Sequence, residues 1–275
     1  MPDNLSKKHF LTLTGGILAA LNLSVYALVY QYEPFNPLIN RLILNGLTVA
    51  TAGFAAIVLT LIVDCFQPEE PPRRMWGAFS GAMWCWTIGE VIWAWYNLTV
   101  LEVPDFSGAD IFWFIGYVFL TASILNQFKL IYFGQMSALY SAATVIWTFS
   151  IMLTTMILAI TGSTDILIDF MGVFYPIADF FVAATALILV ITFRRGTLAY
   201  PWLSLFAFVV ADSLYIWATS SDIYNYEMSG SITNLMVDGA YQLAYIILSW
   251  GVFQQLLLLK FGANFQSTDA PPPGK

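Results

Sequence analysis

The sequence predicts an all-α, polytopic membrane protein with eight transmembrane helices arranged as a tandem 4+4 parallel repeat. Three observations predict it. Hydrophobic residues make up 59% of the 275 and charged residues only 10%, whereas a soluble domain is about a quarter charged. Apolar runs of roughly 20 residues, the length that crosses a bilayer, fill most of the chain. Proline- and glycine-containing breaks separate successive runs.

The runs cover 10–31, 41–65, 75–98, 109–130, 136–161, 169–193, 201–223 and 234–259. The first is too long for a signal peptide and lacks a small-residue cleavage site, so it reads as a retained span. Pro34 and Pro37 separate it from the second, and Pro68 to Pro72 separate the second from the third. Pro104 with Gly108, Gly134, Gly162, Gly196 with Pro201, and Gly230 mark the remaining breaks. The expected organisation is a cytoplasmic N-terminus (1–9), a first four-helix unit (10–134), a second (135–260) and a disordered Pro-rich cytoplasmic tail (261–275).

Basic residues set the expected orientation. Lys7, Lys8, Arg73, Arg74, Lys129, Arg194, Arg195, Lys260 and Lys275 share one side of the eight-span arrangement, and only Arg41 falls on the other. The positive-inside rule then places both termini in the cytoplasm of a cell membrane. A net charge of −7 without a basic tract argues against nucleic acid as a partner, leaving membrane lipids as the surroundings. His9 is the single histidine, which argues against histidine metal centres, bis-histidine haem and histidine triads. Cys65 and Cys85 suggest neither a disulfide nor a metal set.

The repeat rests on two alignments. "GEVIWAW" (89–95) lines up with "ADSLYIW" (211–217), and "ADIFWFIGYVFL" (109–120) with "VDGAYQLAYIIL" (237–248). Asp110 thus matches Asp238, Trp113 matches Tyr241, and Tyr117 matches Tyr245. An Arg–Arg pair precedes each set. Two four-helix units have the same orientation, so the pseudo-two-fold axis runs along the membrane normal.

Acids and aromatics share helix faces. Asp110, Trp113 and Tyr117 lie at i, i+3 and i+7, as do Asp238, Tyr241 and Tyr245. Glu90 shares a face with Trp86, Trp93 and Asn97, and Asp212 with Tyr215 and Thr219. Asp179 follows Pro176. At about 1.5 Å per residue Glu90 lies roughly 24 Å beyond Arg74, in the outer half of the bilayer. A carboxylate facing lipid costs at least about 2.5 kcal/mol, so these acids are expected to face the bundle interior. The candidate ligand-binding set is therefore Glu90, Asp110, Asp179, Asp212, Asp238, Trp93, Trp113, Tyr117, Tyr215, Tyr241 and Tyr245. Asp110 and Asp238, expected at helix starts, also read as N-terminal caps. The aromatics also read as an interfacial belt, and Glu90 and Asp212 as structural hydrogen-bonding groups.

"VPDFSGADIFWFIGY" (103–117) resembles the Pro-x-Ser-x-Ala-Asp pattern, followed by aromatics and Gly-Tyr, of the multi-spanning N-terminal sensor regions of bacterial GGDEF/EAL signalling proteins and some membrane histidine kinases. Ser107, Ala109, Asp110, Trp113 and Tyr117 match, with one extra residue between Pro104 and Ser107. "VVADSLYIW" (209–217) and Gly89-Glu90 resemble further elements of that region. The resemblance implies a sensory or ligand-binding module. It does not imply cyclase activity, because no GGDEF sequence, kinase core or phosphoacceptor histidine is present.

Three function classes stay open. The first is a sensor that binds a small cationic or lipidic ligand and signals to a cytoplasmic partner through the loops at 67–75 and 194–200. The second is a cation- or proton-coupled transporter, and the third an accessory or structural subunit of a membrane complex. Enzymatic readings lack their motifs: no Gly-x-Gly-Asp, no multi-aspartate metal set and no mid-span lysine for retinal. No cofactor is indicated.

Overall fold

The computed structural model describes residues 2–99, 106–131, 166–193, 197–221, 223–224 and 230–262. Among them the fold is all-helical, with seven α-helices and no strand. These are α1 (Pro2–Tyr32), α2 (Pro37–Val63), α3 (Pro71–Thr99), α4 (Gly108–Ile131), α5 (Ile166–Phe193), α6 (Tyr200–Ser220) and α7 (Ile232–Gly262), with a short 3-10 turn at Thr197–Ala199. The fifth expected span, 136–161, and the tail 261–275 beyond Gly262 lie outside the described residues.

Among the described residues, six helical stretches are long and apolar enough to cross a bilayer, which makes the chain a multi-pass membrane protein: Ser6–Tyr32, Pro37–Val63, Gly108–Ile131, Phe174–Phe193, Tyr200–Thr219 and Ile232–Gly262. The seventh, α3, is as long, but its tryptophans, glycines, Arg73, Arg74 and Glu90 make it less apolar. It is wedged between α2 and α4.

Helix starts depart from expectation where capping decides them. α1 begins at Pro2 rather than near residue 10, because proline suits the first helical turn and no breaker follows before Gly15. α2 begins at Pro37, where the Asn36 side chain caps the Ile39 N–H at 2.9 Å. α7 begins at Ile232, two turns before Asp238.

The last three helices of each half, all among the described residues, pack in the same order. α3 lies between α2 and α4, and α6 between α5 and α7. The halves meet along two seams: on one, α7 packs against both α1 and α2, and on the other, α4 meets α5. Partner residues advance together along both seams (Thr48 with Gln242, Thr51 with Ser249; Asp110 with Tyr175, Tyr117 with Asp179), so the helices of each seam run parallel. Between the seams, α3 and α6 make no close backbone approach. Aromatic rings span that space: Phe79 stacks on Trp202 at 5.5 Å, and Trp86 meets Phe208 edge-on at 5.0 Å.

Small residues bring α3 and α4 together. A Cβ on Gly89 would sit 2.5 Å from the Trp113 indole nitrogen, and one on Gly116 would collide with the Trp86 indole. Each helix thus seats its neighbour's tryptophan over its own glycine, an interlock suited to a bilayer, where packing rather than hydrophobicity holds helices together. The Trp86 indole N–H donates to the Trp113 carbonyl at 3.2 Å.

An uncharged network holds α1, α2 and α7. The Gln242 amide donates to Asn22 at 2.6 Å and to Thr51 at 3.2 Å, and its carbonyl accepts from Thr48 at 2.9 Å. Gln242 is fully buried, and such a residue is tolerated only because its partners are present.

Gly116→Ala is expected to destabilise the protein by about 1–3 kcal/mol through forced displacement of Trp86. Gly77→Ala, whose Cβ would meet nothing within 4 Å, is expected to be neutral or mildly stabilising. Reversible unfolding in mixed micelles checks the pair, and equal effects would contradict the interlock.

Candidate functional site

A carboxylate within a membrane bundle needs a hydrogen-bond donor, and this sequence offers no mid-span lysine or arginine. The donor it supplies is the tyrosine hydroxyl. Tyr245 donates to Glu90 Oε1 at 2.7 Å, tying α7 to α3. Tyr241 donates to Asp212 Oδ1 at 2.5 Å, tying α7 to α6. Tyr117 of α4 donates to Asp179 Oδ1 of α5, and Tyr175 of α5 donates to Asp110 Oδ1 of α4 at 3.0 Å. Asp238 accepts twice, from Tyr30 of α1 at 2.6 Å and from Tyr224 at 2.9 Å. All five expected acids therefore bond to phenols.

Three of the acids form one group. The Asp179 and Asp212 carboxyls are within hydrogen-bonding reach of each other, and Glu90 interacts electrostatically with Asp212. Glu90 and Asp212 are half-buried and Asp179 is buried. Glu90 sits on α3 and the aspartates on α5 and α6, so the group lies where the two halves meet.

The local sequence explains each placement. Asp110 is the third residue of α4, and its Oδ2 accepts from the Ser107 N–H at 2.8 Å and hydroxyl at 3.0 Å. The Ser107 hydroxyl in turn accepts from the Ala109 N–H at 3.2 Å. Ser107 and Asp110 thus form a capping box, as the cap reading of Asp110 expects, while Oδ1 remains free for Tyr175. The cap reading of Asp238 is corrected. It lies two turns inside α7, and both of its oxygens go to tyrosines from other segments. Pro176 lies inside α5 between Tyr175 and Asp179, where it removes one backbone hydrogen bond.

The expected aromatics divide. Tyr117, Tyr241 and Tyr245 are donors to the acids. Trp113 packs over Gly89, next to Glu90, and its ring lies 5.7 Å from that of Trp93. Trp86 lines the same region, edge-on to Tyr117 at 5.5 Å. Tyr215 is edge-on to Tyr224 at 5.5 Å, the tyrosine that donates to Asp238.

Three donors escaped the sequence reading: Tyr30, Tyr175 and Tyr224. Tyr175 carries a signal, its i, i+4 spacing to Asp179, but that spacing points to a partner on its own helix whereas the hydroxyl reaches Asp110 across the seam. Tyr30 and Tyr224 have no local signal, because only the tertiary fold brings them to Asp238.

Among the described residues no three His, Cys, Asp or Glu side chains are placed to hold a metal ion. Comparison of the chain with protein-family models, with curated proteins and with solved structures finds no match.

Tyr117→Phe and Asp179→Asn are each expected to lower stability by about 1–3 kcal/mol. The double variant should lose less than the sum, with a coupling of about 0.5–2 kcal/mol. A thermodynamic cycle by reversible unfolding measures this, and strict additivity would show that the bond contributes nothing.

Proposed function

We propose that the chain is an integral membrane sensory module that binds a small cationic ligand at the carboxylate–tyrosine group between two four-helix units. The observation that carries the reading is the assembly of Glu90, Asp179 and Asp212 from both halves of the chain with tyrosine hydroxyls as donors. A site rich in acids and phenols favours added positive charge, through the carboxylates and through the faces of the surrounding rings. Because its members come from both units, occupancy can bias how the units sit against each other. That change would pass to a cytoplasmic partner through the loops at 67–75 and 194–200. The resemblance of "VPDFSGADIFWFIGY" to bacterial sensor regions supports the same reading.

Eight spans in a 4+4 parallel repeat with both termini cytoplasmic form part of the proposal. Support comes from the matching helix order in the two halves and from the two parallel seams, which the repeat makes equivalent. Because α4 and α5 are parallel, Ile131 and Ile166 lie at opposite ends of the bundle. The equivalent tyrosines, Tyr117 and Tyr245, each donate to an acid of the other unit.

A second reading, cation- or proton-coupled transport, is favoured by one observation: Pro176 lies inside the continuous α5 one turn before Asp179, where it removes a backbone hydrogen bond beside an intramembrane acid.

Native mass spectrometry with small-molecule extraction, wild type beside Glu90→Gln/Asp212→Asn, tests the proposal. A cationic molecule bound to the wild type and lost from the variant is expected. Equal stability and an empty site in both would refute it. Flux in reconstituted vesicles, abolished in the same variant, would establish transport instead.

A further inference from the structure

The two seams between the halves are built differently. At the α2/α7 seam the backbones pack closely over many turns. Uncharged groups fasten it, with Thr48 and Thr51 bonded to Gln242, and Ser249 donating to the Thr51 carbonyl at 2.9 Å. At the α4/α5 seam the backbone contact is among the sparsest between any two helices that touch, among the described residues. What crosses it is a reciprocal clasp beside a few ring contacts, Phe114 against Phe174 at 4.9 Å and Tyr117 against Phe174 at 5.7 Å. α4 gives the donor Tyr117 and the acceptor Asp110, and α5 gives the donor Tyr175 and the acceptor Asp179.

We propose that the α4/α5 seam is a gate closed by this double tyrosine–aspartate clasp, with the α2/α7 seam as the hinge on which the halves turn.

Three features point the same way. Two side-chain hydrogen bonds and a few ring contacts are broken more readily than a closely packed helix interface, because water or a ligand can replace each hydrogen-bond partner and the rings can slide apart. Pro176 lies between the two α5 members of the clasp, so the stretch carrying Tyr175 can bend away without losing a further backbone bond. Aromatic rings rather than interlocked backbones fill the space between α3 and α6, so the halves can separate there without dismantling a helix pair. Opening would uncover Asp110 and Asp179 and give an occupant a way to the acids from the side of the bundle. The gate is a property of the seams and holds whether or not the acids bind a cation.

Pulsed electron paramagnetic resonance tests it on the full chain in lipid nanodiscs, with Cys65 and Cys85 replaced by serine. One spin-label pair spans the gate at the exposed Val118 and Phe180, and another spans the hinge at the exposed Ile57 and Leu243. Removing the clasp with Tyr117→Phe/Tyr175→Phe is expected to lengthen and broaden the gate distance by several ångströms and leave the hinge distance unchanged. An unchanged gate distance, or equal changes at both seams, overturns the proposal. Should the double variant not fold, Tyr175→Phe alone is measured, with a partial broadening at the gate expected and none at the hinge. Because the readout is a distance without added ligand, its failure is separable from that of the binding proposal.

Discussion

A carboxylate can be kept inside a bilayer only if something donates to it. Here that donor is the phenol of tyrosine, and the rest of the arrangement depends on this one interaction. Tyrosine suits the task because it is apolar along its length and carries its hydroxyl at the tip, so it packs as a core residue while its end satisfies an acid. Tyr245 and Tyr117 are both buried in the core, and both end on carboxyl oxygens. A lysine or arginine would hold the acids ionised and leave little attraction for an outside cation. Phenols give the acids hydrogen bonds without adding a positive charge.

The bonds also link helices remote in the chain. Glu90 with Tyr245 joins α3 to α7, the α4/α5 pairs join the halves, and Asp238 joins α7 to the C-terminal end of α1. Polar bonds of this kind have direction and exact partners, whereas aliphatic side chains packed in lipid have almost none. The acids therefore set which helix faces which, and the glycine–tryptophan interlock of α3 and α4 sets how closely one pair approaches. One junction of the halves, α2 against α7, adds close backbone packing to its hydrogen bonds, whereas the other, α4 against α5, has little backbone contact. That division lets one junction be fixed and the other conditional.

Much of the fold was legible because a membrane helix is a local object. Its length, its apolar run and its breakers lie within one stretch, so seven of the expected spans match described helices. Boundaries slipped at α1 and α7, where nothing local forbade extension. Of the site, the acids were legible: an acid in an apolar run is conspicuous, and an interior position follows from the cost of exposing it to lipid. The double role of Asp110 was half legible, since Ser107 and Asp110 carry the spacing of a capping box, whereas Tyr175 arrives from a distant helix. Tyr30 and Tyr224 were invisible because an aromatic residue near a span end looks the same whether it anchors at the interface or reaches inward. The network of Asn22, Thr48, Thr51 and Gln242 escaped for the same reason: amides and hydroxyls in a span announce a bond but not its partner.

The most direct test of the account is the infrared spectrum of the carboxyl groups in lipid bilayers, with the wild type compared with Tyr245→Phe and Tyr117→Phe. A hydrogen bond from a phenol lowers the stretching frequency of the carboxyl group that accepts it. The account predicts that each substitution moves one carboxyl band, a different band in each variant, and that Glu90→Gln abolishes the band moved by Tyr245→Phe. Identical carboxyl spectra in wild type and both variants would contradict it, since the acids would then be held by something other than the tyrosines.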